Sequence, residues 1–127
     1  MTIIPQNVNL VIYQGADFSE TFFWQTQADD GTLTTVNLTG YSARLQARAT
    51  VEAATMLLNL DTATRGGISI DPLNGAITVS LTASRTAALS FGESGTAAYD
   101  LEVESADGHV IRLVQGTLRL SLEVTRA

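Results

Sequence analysis

The stretch Ala97-Ala98-Tyr99-Asp100-Leu101-Glu102-Val103-Glu104 alternates strictly, with Tyr99, Leu101 and Val103 on one side and Asp100, Glu102 and Glu104 on the other. Successive side chains of a strand point to opposite faces, so a period of two predicts a β-strand with one buried and one solvated face. Ala106-Asp107-Gly108 follows, and Asp-Gly supplies the backbone angles a hairpin turn needs. His109 to Gln115 is then expected to pair back, with Gly116 allowing a bulge or bend. Leu118, Leu120, Leu122 and Val124 alternate with Arg119, Ser121 and Glu123 in a closing strand.

The same grammar extends upstream. Val8, Leu10 and Ile12 alternate with Asn9 and Val11 before a turn at Gln14-Gly15-Ala16-Asp17. The run from Asp17 to Gln27 holds Phe18, Phe22, Phe23 and Trp24, three of the four phenylalanines and the sole tryptophan, and is expected to be a central strand anchoring the core. Ala28-Asp29-Asp30-Gly31 turns the chain into a short return strand over Leu33 to Leu38. Tyr41, Ala43, Leu45 and Ala47 alternate with Ser42, Arg44, Gln46 and Arg48, and Met56 to Leu60 resumes after an irregular crossover. Ile68 and Ile70, the turn Asp71-Pro72-Leu73-Asn74-Gly75, and inward Ile77, Val79 and Leu81 complete the series. One helix is predicted over 83–89, with Thr82 as its N-cap and a stop near Phe91-Gly92. Short strands at roughly 8–12-residue spacing predict an all-β, antiparallel sandwich or barrel, forming a single domain over 1–127.

Bulk composition narrows the function classes. The net charge is −6, and the seven basic residues are all arginine, scattered at Arg44, Arg48, Arg65, Arg85, Arg112, Arg119 and Arg126. Nucleic-acid backbones need clustered cations, so no nucleic-acid partner is expected. No apolar run approaches the ~20 residues that cross a bilayer, and no membrane partner is expected. Residues 1–6 lack a signal-peptide pattern, which predicts synthesis in the cytoplasm. Cysteine is absent, which excludes disulfides and thiolate metal sites. Charged residues make up only 16% of the chain, below the usual ~25%, so its surface carries little ionic hydration to strip on contact with a partner.

No combination of residues carries recognisable chemistry. His109, the sole histidine, follows a turn and has no serine or carboxylate motif to serve it. The Asp100, Glu102, Glu104 stripe has the residue types for calcium or for paired-carboxylate hydrolysis, yet reads more simply as a solvated face crossed by Arg112, Arg119, Arg44 or Arg48. Asp29-Asp30-Gly31 and Asp71 to Gly75 lack the alternating-acid spacing of a calcium loop and read as turns. Asn37-Leu38-Thr39 matches a glycosylation sequon without a secretory signal. Gly92-Glu93-Ser94-Gly95 is neither a nucleophile elbow nor a phosphate loop. No catalytic, cofactor or metal residue is expected.

One ordered set of segments resembles a known family: Tyr13 to Phe18 leading into the aromatic strand, Asn37 to Arg48, Ile68 to Val79, Tyr99 to Val103, the Asp107-Gly108 turn and the closing strand Gly116 to Val124. From about Val8 to Thr125 the chain resembles the immunoglobulin-like β-sandwich modules of tailed-bacteriophage virion proteins, notably the amino-terminal domain of the upper baseplate protein family. The resemblance implies an immunoglobulin-like sandwich that docks virion components in the tail, baseplate or fibre-attachment region. It supplies no catalytic or interface residues. In that family a linker and further domain follow the module, so a chain ending at Ala127 is expected to act as a free-standing piece. Free-standing modules are also similar to capsid decoration proteins. Expected partners are other virion proteins and copies of the chain itself. A carbohydrate-binding module using exposed aromatics such as Trp24 and Tyr13 is a second class of function, and an enzyme built on the acidic stripe a third.

Overall fold

In the computed structural model, which describes residues 5–125, the alternating run becomes a strand whose Tyr99, Leu101 and Val103 are buried and whose carboxylates face outward. Met1 to Ile4, Arg126 and Ala127 lie outside the described residues, so readings that rest on them stay at the level of sequence. The elements begin with β1 (Gln6–Asn7), β2 (Leu10–Tyr13), β3 (Phe18–Phe23), β4 (Gln25–Gln27), β5 (Leu33–Thr35), β6 (Ser42–Arg48) and β7 (Met56–Asp61). They continue with β8 (Ile68–Asp71), β9 (Ala76–Leu81), α1 (Ala83–Ala87), β10 (Thr96–Glu104) and β11 (Val110–Ser121).

A large sheet runs β1-β11-β10-β6-β7, with β2 also on β11; a small sheet runs β3-β9-β8; β4 and β5 form a separate hairpin. Leu45, Leu60, Leu101 and Leu118 of the large sheet and Ile77, Val79 and Leu81 of the small one belong to a common buried cluster. Full burial of each such side chain stabilises the fold by about 1.5–3 kcal/mol, so this shared layer holds the two sheets together. The all-β class and the alternation of β6, β9 and β10 are therefore as expected.

Strand sense, strand placement and the position of the bulge differ from expectation. The sheets are not purely antiparallel: β1 and β2 both pair parallel with β11, Gln6 opposite Val114 and Leu10 opposite Leu118. A local pattern of two cannot distinguish these senses, because the side-chain period is the same in both. The aromatic strand is not central. β3 lies at the edge of the small sheet and ends at Phe23, which is 65% exposed. The irregularity expected at Gly116 lies instead at Leu113, the residue skipped between the pairs Leu101–Val114 and Glu102–Arg112. That extra residue turns Ile111, opposite Val103, onto the core side.

Gly116 has a different duty. A Cβ there would stand 2.1 Å from the Val8 carbonyl oxygen, so only glycine lets the amino-terminal edge cross β11. Beside it the Tyr99 hydroxyl donates to the same carbonyl at 2.6 Å, Val8 N–H donates to Gln115 at 2.9 Å, and Thr117 N–H donates to Asn9 Oδ1 at 3.0 Å. The closing strand stops at Ser121, leaving Leu122 and Val124 exposed rather than alternating into the core.

The predicted helix forms and ends earlier than expected, at Ala87, with Thr82 Oγ1 accepting from Arg85 N–H. So short a helix needs outside support. Asp17 Oδ1 accepts from Ala83 N–H at 2.7 Å. Fully buried Thr86 donates its hydroxyl to Ala16 C=O at 2.8 Å and accepts from Gly15 N–H at 3.0 Å, joining the helix to the β2–β3 turn.

Candidate functional site

Ser105, Asp107 and His109 converge at the β10–β11 turn, which makes it the first place to test for catalysis. The Ser105 hydroxyl donates to Asp107 Oδ1, and the backbone N–H of His109 donates to Ser105 Oγ at 3.1 Å. His109 Nε2 lies 3.9 Å from Asp107 Oδ2, both side chains being largely exposed. In a nucleophilic relay the histidine must accept the serine proton while the acid orients the histidine. Here the serine donates to the acid instead, which holds the Asp107 carboxyl below its usual range. This wiring closes a turn and activates no nucleophile.

The acidic stripe sits on the outward face of β10, opposite arginines from both neighbouring strands. Arg44 Nε lies 3.0 Å from Glu102 and its Nη1 3.4 Å from Glu104, while Arg112 Nε lies 3.5 Å from Asp100. Register explains the first pair directly, since Glu102 stands opposite Arg44. Burial, then the neighbouring Glu102 charge, pushes the Asp100 carboxyl above its usual range despite Arg112. Arg48 turns away to donate to the carbonyls of Ala53 and Ala54 at 2.9 and 2.7 Å. Each carboxylate of the stripe has an arginine partner, and among the described residues no group of three or more histidines and acids converges on a metal position. Two arginines thus serve the three carboxylates, Arg44 being shared by Glu102 and Glu104.

The other sequence candidates are local structure. Asp30 Oδ1 accepts from Thr32 N–H at 2.9 Å, and Asn37 Oδ1 accepts from Thr39 N–H at 3.0 Å. Asp71 Oδ2 accepts from Asn74 across a 3-10 turn over Pro72–Asn74, closed by Gly75 at φ 58°. Ser94 Oγ accepts from Thr96 N–H at 3.3 Å. Trp24 packs edge-on against Tyr41, ring centroids 6.0 Å apart, whereas Tyr13 is 60% exposed.

One residue escaped the sequence reading. Glu20 alternates with Phe18 and Phe22 and so points inward along the edge strand β3, where it is half-buried. The signal was present: a single acid in register with two phenylalanines on an aromatic strand. Near it the two sheets part to leave a cleft of about 350 Å³, lined by Gln6, Phe22, Trp24, Ile77 and Leu113 and rimmed by Leu33. This seam opens beside the edge of β3, with which no further strand pairs among the described residues.

No protein-family model matches the chain, and comparison with curated proteins gives no significant match.

Proposed function

We propose that the chain is a non-catalytic docking module of a tailed-phage virion, seated in the tail, baseplate or fibre-attachment region. The observation that carries the reading is connectivity. The order β11-β10-β6-β7 in one sheet and β3-β9-β8 in the other corresponds to strands G-F-C-C′ and B-E-D of an immunoglobulin-like sandwich. An immunoglobulin-like sandwich is what the resemblance to virion modules from Val8 to Thr125 implies, and this strand order supports that reading. The chemistry agrees with such a role. The acidic stripe is paired with Arg44 and Arg112 within the fold, and the outer face of the small sheet carries Ser19, Thr21, Ser69, Thr78 and Ser80, which have no ionic hydration to lose on contact. Docking through such surfaces would bury a standard interface of about 800 Å² on each partner.

Quantitative mass spectrometry of purified particles tests the proposal. About a dozen copies or fewer fit a tail position, and on the order of hundreds fit capsid decoration, the neighbouring reading within the same class. Absence from particles removes both. A carbohydrate-binding module is the alternative from another class; a glycan array with Trp24→Ala and Tyr13→Ala controls tests it, and binding lost in Tyr13→Ala would favour it.

A further inference from the structure

The outer edge of β3 carries backbone groups that no strand among the described residues pairs. Trp24 N–H donates to Gly75 C=O at 2.9 Å. By antiparallel alternation the backbone groups of Phe18, Glu20 and Phe22 then face β9, and those of Ser19, Thr21 and Phe23 face away. Ser80, opposite Ser19, agrees: its N–H points to the far side and donates to Gly67 at 2.8 Å. Among the described residues no strand pairs with the outward side of β3. Edges are commonly blunted by bulges, proline, lysine or an inward-pointing charge, and of these β3 has only the last, which opposes any added strand that brings no cation to meet it. Its one charge is the inward Glu20, and among the described residues no arginine or histidine lies within ion-pair distance of it.

We propose that this edge receives an extended segment of a partner protein as an added strand, with arginine or lysine opposite Glu20 and an apolar side chain two positions away entering the cleft beside Phe22 and Trp24. The proposal deepens the docking reading by naming the surface and the chemistry of its occupant. Charge selects that occupant. Alternate residues of an added strand face inward, so a cation and an apolar group spaced by two meet Glu20 and the cleft together. A second copy of the chain fits poorly. Setting Phe18 against Phe22 of the copy brings the two Glu20 carboxylates face to face, and a shift of one residue on each strand puts Glu20 opposite phenylalanine. The carboxylate therefore disfavours self-pairing and favours a cationic strand.

The test titrates the isolated full chain with a seven-residue peptide, threonine alternating with inward valine, arginine and valine, followed by calorimetry and amide NMR. Binding is expected to protect the amides of Ser19, Thr21 and Phe23. It should weaken about tenfold or more in Glu20→Gln and transfer to a glutamate-for-arginine peptide in Glu20→Arg. Thr21→Pro, which removes an outward N–H along with the hydroxyl contact to Thr78 at 2.9 Å, should abolish it, whereas Thr21→Val, which loses the hydroxyl alone, should still bind. Equal affinity in Glu20→Gln, or protection on another strand, would overturn the proposal. So would a concentration-dependent dimer sealing β3, or binding gained only when residues 1–4 are deleted, since the edge would then belong to a copy or to the chain itself. All of these concern the isolated chain, so their failure leaves the particle count to decide the virion reading separately.

Discussion

Replacing Gly116 by alanine should loosen one whole edge of the large sheet. The added methyl would stand 2.1 Å from the Val8 oxygen and 2.8 Å from its carbonyl carbon, both backbone atoms with no side-chain freedom to yield. The segment Val8–Asn9 must therefore retreat by about an ångström to reach van der Waals contact. That movement disrupts the Tyr99 hydroxyl bond to Val8, the Val8 bond to Gln115 and the Thr117 bond to Asn9. At about 0.5–1.5 kcal/mol for each of the three bonds, offset by about 0.5–1 kcal/mol gained by alanine over glycine within a strand, the net loss is about 0.5–4 kcal/mol. For a domain of this size that corresponds to a fall in melting temperature of roughly 2–15 °C. Denaturant unfolding and calorimetry measure it, and Tyr99→Phe, which removes only one of the bonds, should fall in between. The pH profile gives an independent readout. Burial, with a smaller contribution from Glu20, pushes the Tyr99 phenol up from 10.0 to about 12. A raised phenol pKa favours the neutral form in the folded state, so this stabilisation is complete below pH 10 and lost as pH rises through 12. Tyr99→Phe should lack that alkaline component. A Gly116→Ala protein with wild-type stability, or with Val8 still bonded to Tyr99, would refute the reasoning.

Thr86→Val keeps shape but orphans Gly15 N–H and Ala16 C=O; a loss of about 1–3 kcal/mol is expected, while Thr86→Ser, which keeps both bonds, should lose only about 1 kcal/mol. Chemical denaturation separates the two, and a serine variant weaker than the valine one would contradict the role given to the hydroxyl. Arg44→Ala should cost no more than about 1 kcal/mol, with the difference shrinking in high salt, because its ion pairs are exposed. Asp100→Asn should match or exceed wild-type stability at pH 7 although it gives up Arg112. The raised carboxyl pKa means that ionisation opposes folding, so any gain should vanish as pH falls below 3.8. Melting curves at both pH values check this, and a clear loss at neutral pH would show that the Arg112 pair dominates.

Where structure follows from local chemistry, the sequence was legible. Tyr41 to Arg48 and Thr96 to Glu104 carry their faces in a period of two, and Thr82 announced a helix whose first turn it caps. The sequence was silent where the outcome depends on residues far apart. Phe18, Phe22 and Trp24 declare a buried face, but no local pattern says whether another strand lies beyond it, and β3 proved to be an edge. Gly116 read as a bulge because its real reason, the Val8 carbonyl more than a hundred residues away, is invisible locally. The candidate seam was hidden for the same cause. Glu20 looks like one more polar residue until β3 is placed at an edge beside an open cleft, and only then does an inward charge without a cation become informative.

The docking account rests on where this chain resides, so the most direct measurement is the protein inventory of purified tailed-phage particles from cells carrying the gene, with its position located by labelled electron microscopy. The account predicts a stoichiometric component at a fixed site on the tail, baseplate or fibre attachment. Particles that assemble fully, infect normally and contain none of the chain would contradict it.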